Sequence, residues 1–63
     1  MFEADIGTWK KATKVRLSSL EFEAAKEEAF ILADKRGEEL NDPYITVIYI
    51  YENDSTIWMN PLA

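Results

Sequence analysis

The 63-residue sequence contains no cysteine and no histidine, and it has only two glycines and two prolines. Without cysteine there is no disulfide framework and no thiolate metal site. Without histidine the common zinc motifs and the usual imidazole base are excluded. The two glycines, Gly7 and Gly37, are too widely separated to form a phosphate-binding loop. We therefore expect no cofactor and no catalysis.

Long hydrophobic runs are also missing. The longest apolar stretch, YITVIYIY at residues 44–51, is interrupted by Thr46 and is far too short to cross a bilayer. The first residues, MFEADIG, carry acids where a signal peptide has cations. The sequence thus predicts a single soluble domain over residues 1–63, located in the cytoplasm. Its core has to form from the 48% of residues that are hydrophobic, and such a core gives about 3–5 kcal/mol at this size.

The first eighteen residues are typical of a β-hairpin. Apolar and polar residues alternate over residues 2–6 and again over residues 13–17, with Gly7 and polar residues between them. One antiparallel register places all the apolar side chains on one face. The same register puts Glu3 opposite Arg16 and Asp5 opposite Lys14, which predicts two cross-strand ion pairs.

A helix is predicted next. Ser18 as N-cap makes Glu21 the partner in a capping box, with Ser19 as the alternative cap, and Gly37 is the expected C-terminal cap. Helical periodicity gives the core face as Phe22, Ala25, Ala29, Leu32 and Ala33. Ile31 points away from this face.

Residues 44–51 predict a third strand, and residues 56–59 predict a fourth after a turn at Asn53-Asp54. The fold class is therefore α+β, a small antiparallel sheet with one helix packed across it, in the order strand-strand-helix-strand-strand. Both faces of the third strand are apolar, so alternation does not decide which face is buried. We expect Ile48 and Ile50 to point in, and Tyr49 and Tyr51 to point out.

An apolar outer face suits a protein interface, and so does an acidic helix face that carries an exposed isoleucine. The predicted interface residues are Ile45, Val47, Tyr49, Tyr51, Trp58, Ile31, Glu23 and Glu27. The alternative is that Trp9 and Trp58 fold over the outer face as a second small core, and that the acids only keep the domain soluble.

The charge distribution supplies a second hypothesis. The chain carries a formal net charge of -5, yet four of its seven cations lie between Lys10 and Arg16. If Lys14 and Arg16 are paired across the hairpin, the tip residues Trp9, Lys10 and Lys11 remain free for a nucleic acid. The acidic whole makes nucleic acid the less favoured partner.

The segments FEADIG, VRLSSLEFEAA and ITVIYIY give the chain a layout that resembles small phage-encoded proteins that disable host machinery. Two such groups are an inhibitor of bacterial RNA polymerase and the antitoxins that block RNA-cleaving toxins. The resemblance implies a protein that binds and blocks a larger one, in the host cytoplasm. The leading hypothesis is a non-catalytic inhibitor or adaptor that docks on a larger protein. The alternatives are a small nucleic-acid-binding module and a homodimer joined through Tyr49, Tyr51 and Trp58.

Overall fold

Two β-hairpins and one helix make up the fold in the computed structural model, which describes residues 1–63. The elements in chain order are β1 (Phe2–Gly7), β2 (Ala12–Arg16), α1 (Phe22–Leu40), β3 (Thr46–Glu52) and β4 (Ser55–Met59). The strands form one antiparallel sheet in the order β2-β1-β3-β4. The predicted α+β class and element order are confirmed. No helix is both long and apolar enough to cross a membrane.

The register of the first hairpin is the predicted one, with Glu3 opposite Arg16 and Asp5 opposite Lys14. Its tip closes through two backbone hydrogen bonds between Thr8 and Lys11, which donate to each other's carbonyl oxygens at 2.9 and 3.1 Å.

The helix packs over the two central strands, and one core fills the space between them. Three alanines of α1 are almost fully buried, so the helix backbone approaches the sheet closely. The buried core residues are Phe2, Ala4, Ile6, Leu17, Ala25, Ala29, Ala33, Val47 and Ile50. Leu32, predicted to be in the core, is 36% exposed. Phe30 packs against the core instead, because Trp58 of β4 offers its ring a partner 5.9 Å away.

The predicted capping box at Ser18 does not form. The helix begins at Phe22, after Glu21 in an extended conformation that makes no side-chain capping bond. Ser18 and Ser19 instead donate five hydrogen bonds of 2.8–3.1 Å, from backbone and hydroxyl groups, to the carboxylate of Glu28. Hydrogen bonds to an ionised carboxylate are stronger than those between neutral groups. The two serines therefore bind Glu28, in the middle of the helix, and do not cap the first turn.

The predicted C-cap at Gly37 is also wrong. The helix continues through Gly37 to Leu40, and Asn41 terminates it in the left-handed conformation, with φ 52° and ψ 44°. Glu38 and Glu39 are good helix formers, and asparagine tolerates the left-handed region. Gly37 serves close packing, since a Cβ there would lie 3.1 Å from the carbonyl oxygen of Asp42.

A β-bulge in β3 decides which residues are buried. Ala4 pairs with Ile50 and Ile6 pairs with Val47, and the register shifts by one residue between these pairs. Val47 and Ile50 therefore both face the core, whereas Ile48 lies on the opposite face. Val47 was expected to point out and instead lies in the core. Ile48 was expected to point in and is buried, at 2% exposure, but on the face opposite the helix.

The second hairpin turns at Asn53 and Asp54, as predicted, and both residues have positive φ angles of 50° and 70°. This is the two-residue turn whose twist matches that of the flanking strands. Trp58 pairs with Ile50 and is half-buried against the core. It therefore lies on the helix side of the sheet, which contradicts its predicted place in an outer-face core or interface.

Candidate functional site

The sheet has one face that no helix covers, and we call it the outer face. Because side chains alternate along a strand, the residues between the core residues of β1 and β2 point to this side. They are Glu3, Asp5, Lys14 and Arg16, and the pairing adds Tyr49, Tyr51, Thr56 and Met59 from β3 and β4. The bulge adds Ile48.

Three aromatic rings form a row across the outer face. Trp9 meets Tyr49 edge to face, with 5.6 Å between ring centroids and an interplanar angle of 87°. Tyr49 and Tyr51 are 6.1 Å apart, and the ammonium group of Lys14 lies 4.2 Å from the centre of the Tyr51 ring. Contacts of these kinds each contribute about 0.5–1.5 kcal/mol. The tyrosines are thus partly occupied by neighbours, and Trp9, which is 55% exposed, is the ring that faces solvent.

Tyr51 also connects the two charges that were predicted to pair directly. Its hydroxyl donates a hydrogen bond of 2.6 Å to the Asp5 carboxylate, and Lys14 lies over its ring. The hydrogen bond to Asp5, followed by burial and the negative charge of Asp5, raises the pKa of Tyr51 to about 12. The predicted register is correct, but neither predicted ion pair, Glu3 with Arg16 or Asp5 with Lys14, forms a direct salt bridge. Asp5 instead accepts from the Tyr51 hydroxyl, and the Lys14 ammonium lies over the Tyr51 ring.

An apolar groove lies at one end of the outer face. It has a volume of about 460 Å³ and runs between the hairpin tip and the C-terminal residues. Its lining is mainly apolar and includes Trp9, Tyr44, Ile48 and Leu62, with Lys10 beside Trp9. Tyr44 is 78% exposed and Leu62 is 93% exposed. We call this set of residues the groove.

Asn60 holds the C-terminal residues against the groove. Its backbone N–H donates to the carbonyl oxygen of Ile48 at 2.9 Å, and its side-chain amide donates to the carbonyl oxygen of Val47 at 2.9 Å. Its side-chain oxygen accepts from the N–H of Leu62 at 2.9 Å. Asn60 is buried, and these bonds satisfy it. The chain direction after β4 is therefore set by a buried amide.

The exposed helix face lies on the other side of the molecule. Glu23 and Glu27 are exposed there, Ile31 is 60% exposed, and Leu20, just before the helix, is 90% exposed. This surface has acidic and apolar residues together, as predicted, but it is separated from the outer face by the whole thickness of the domain.

The predicted interface residues therefore fall into three places. Tyr49 and Tyr51 lie on the outer face with Trp9. Ile31, Glu23 and Glu27 lie on the helix face. Ile45 and Trp58 pack against the core, and Val47 is fully buried, so these three do not form an exposed surface with the tyrosines.

Four outer-face residues were not predicted from the sequence: Tyr44, Ile48, Met59 and Leu62. Met59, opposite Tyr49, is 55% exposed and extends the apolar surface. An Asn-Pro pair at residues 60–61 after the last strand was the available signal for a turn. The bulge that turns Ile48 away from the helix has no such local signal.

The architecture defines a small α+β protein in which a single helix covers one face of a four-stranded antiparallel sheet. No protein-family model, curated protein or solved structure matches the chain.

Proposed function

We propose that the protein is a non-catalytic binding module that docks on a larger protein through the outer face and acts as a stoichiometric inhibitor or adaptor. The observation that carries the proposal is the continuous apolar surface around Tyr49, which includes the exposed side chains of Trp9, Tyr44, Met59 and Leu62. Exposed apolar patches of this kind are uncommon on monomers, and aromatic residues and methionine are enriched in interface cores.

Contacts among the residues of the patch support the same function. Trp9 packs against Tyr49, and the ammonium group of Lys14 lies over the ring of Tyr51. Asn60 accepts a hydrogen bond from the N–H of Leu62 and so holds this residue beside the groove. Side chains that are ordered before binding lose little conformational entropy when a partner arrives, so more of the contact energy appears as affinity. We expect Trp9 to contribute most to the binding energy, because tryptophan dominates the energetics of many interfaces.

Affinity capture from a bacterial lysate tests the proposal with two matched variants. The first replaces Tyr44 and Leu62 by serine on the outer face. The second replaces Leu20 and Ile31 by serine on the helix face. All four side chains are at least 60% exposed, so neither variant loses much core. We expect only the outer-face variant to lose the captured protein, with Kd rising about thirtyfold for a loss of about 2 kcal/mol.

The two variants also separate the alternatives. Loss of capture by the helix-face variant alone would move the interface to Glu23, Glu27 and Ile31. Equal capture by wild type and both variants would exclude both surfaces. Circular dichroism of each variant shows whether the fold is retained.

A nucleic-acid function is the second candidate, because the structure puts Lys10 beside Trp9 at the exposed hairpin tip. Against it, the outer face also carries Glu3 and Asp5, and the tyrosine rings already have partners. Titration with labelled single-stranded DNA and RNA at low salt decides this point. Binding that disappears in a Lys10→Glu, Lys11→Glu variant would favour nucleic acid.

A further inference from the structure

The groove allows the chemistry of the partner to be specified, and this step rests on the proposed function. We propose that the segment that enters the groove is acidic, with an apolar side chain that fits between Trp9 and Leu62 and a carboxylate that reaches Lys10. The volume of about 460 Å³ is in the range of protein ligand sites, which are mainly apolar with a few polar groups that set orientation.

Two of the four cations in residues 8–16 lie near the groove. The other two, Lys14 and Arg16, stand opposite Asp5 and Glu3, farther along the sheet. Lys10 lines the groove directly, and Lys11 is exposed at the same hairpin tip. A carboxylate beside an apolar anchor would therefore meet the ammonium group of Lys10.

The acids of the outer face lie away from the groove. Gly7 pairs with Thr46 at the groove end of the sheet, whereas Asp5 pairs with Tyr49 and Glu3 with Tyr51, progressively farther along. Asp5 is also occupied by the hydroxyl of Tyr51. These two carboxylates do not neutralise Lys10. A third acid, Asp42, accepts a hydrogen bond from the N–H of Tyr44 and lines the neighbouring cavity together with Lys11.

The rest of the molecule orients an acidic partner. Residues 20–40, which include the helix on the opposite side of the sheet, contain seven acids and three cations. An acidic segment is repelled by the helix side and attracted to the hairpin tip, so the field of the protein directs it to the outer face. A basic segment would be directed to the helix instead.

Selection from a randomised displayed peptide library, with the immobilised protein as bait, tests the inference. We expect the enriched peptides to share an apolar residue flanked by aspartate or glutamate, and to lose binding in Trp9→Ser and in Leu62→Ser. Lys10→Glu should weaken an enriched peptide about fivefold at low salt. Lys35→Glu, the matched change at an exposed helix position, should leave its affinity unchanged.

The results distinguish the two proposals. Peptides that depend on Trp9 but show no preference for acids would overturn the acidic partner and leave the outer face as the docking surface. A library that yields no peptide dependent on Trp9 or Leu62 would overturn both. Competition by a single-stranded oligonucleotide would assign the groove to nucleic acid. Self-association by sedimentation equilibrium that Lys10→Glu abolishes would assign it to a second copy of the chain. Either of these last two results overturns the inference.

Discussion

Replacement of Glu28 by glutamine is expected to remove about half of the stability of this domain. The carboxylate accepts five hydrogen bonds from Ser18 and Ser19, and these bonds hold the connection between β2 and α1. Glutamine retains one acceptor oxygen, but its amide NH₂ group faces donors and its charge is lost. Hydrogen bonds to a charged group are worth about 1.5–3 kcal/mol, against about 1 kcal/mol for neutral ones.

The magnitude follows from the exposure of the site. Ser18 is exposed and Ser19 is half-buried, so water competes for part of the set and the low end of the range applies. We expect a loss of about 2 kcal/mol from a total of about 3–5 kcal/mol. For a domain of this size that corresponds to a fall in Tm of about 10 °C.

Thermal unfolding followed by circular dichroism measures the effect, and Glu27→Gln is the matched control. Glu27 is the preceding residue of the same helix, it is exposed, and its replacement removes the same charge. Its Tm should change by no more than a few degrees. Equal shifts in the two variants would refute the account of the carboxylate.

The same bonds predict a dependence on pH. The N–H of Ser18 contributes most to lowering the pKa of Glu28 below its ordinary value of 4.5, and the Ser19 hydroxyl follows. A lowered pKa contributes stability above the unfolded value of 4.5, and this stability is lost as the pH falls through the folded value. The difference in Tm between wild type and Glu28→Gln should therefore be constant near neutral pH and shrink in acid. A difference that persists at low pH would contradict the charge-based explanation.

Three further changes test the sheet. Gly7→Ala should largely unfold the chain, because φ is 152° and a Cβ would overlap the carbonyl oxygen of Lys11 and lie 2.8 Å from the Cα of Ala12; the cost is about 3 kcal/mol or more, visible as loss of a folded NMR spectrum. Tyr51→Phe should cost about 1.5 kcal/mol in urea unfolding near neutral pH. Since the pKa of Tyr51 rises from 10.0 to about 12, wild type should lose this advantage between these pH values and the variant should not. Asp54→Gly should raise the free energy of unfolding in urea by about 0.5–1 kcal/mol, because φ is 70° there and glycine adopts it freely; an unchanged free energy of unfolding would mean that the turn is not strained.

The first hairpin shows how far sequence patterns reach. Apolar alternation and opposite charges agree on one register in residues 2–17, and the structure has that register. The side-chain contacts were harder to predict, because Tyr51 comes from a strand that is distant in sequence and takes the position between Asp5 and Lys14.

The helix boundaries show a different limit. Ser18 and Glu21 have the spacing of a capping box, but the acceptor for the serines is Glu28, seven residues into α1. At the other end Gly37 looks like a stop signal and is instead the place where the chain passes close to the helix. In both cases the sequence rules identify the residues that matter, but tertiary packing decides which contact each of them makes.

The candidate site depends on the same distinction. Trp9 and Lys10 were identified from the charge pattern, and Tyr49 and Tyr51 from the strand. Their neighbours in the groove, Ile48 and Leu62, come together only in the folded chain.

Composition, periodicity and turn residues by themselves determined the α+β class, the order of the elements, the hairpin register and the alanine face of the helix, because each depends on neighbours in sequence. The tertiary structure decided which residues of β3 are buried and what lies on the outer face. A one-residue bulge at Ile48 reverses the alternation, and both possible faces of YITVIYIY are apolar, so hydrophobicity alone could not choose between them. Residues distant in sequence decide which side chains of β3 enter the core. Ala4 and Ile6 pair with Ile50 and Val47 on the helix side, whereas Trp9 and the segment held by Asn60 surround Ile48 on the outer face.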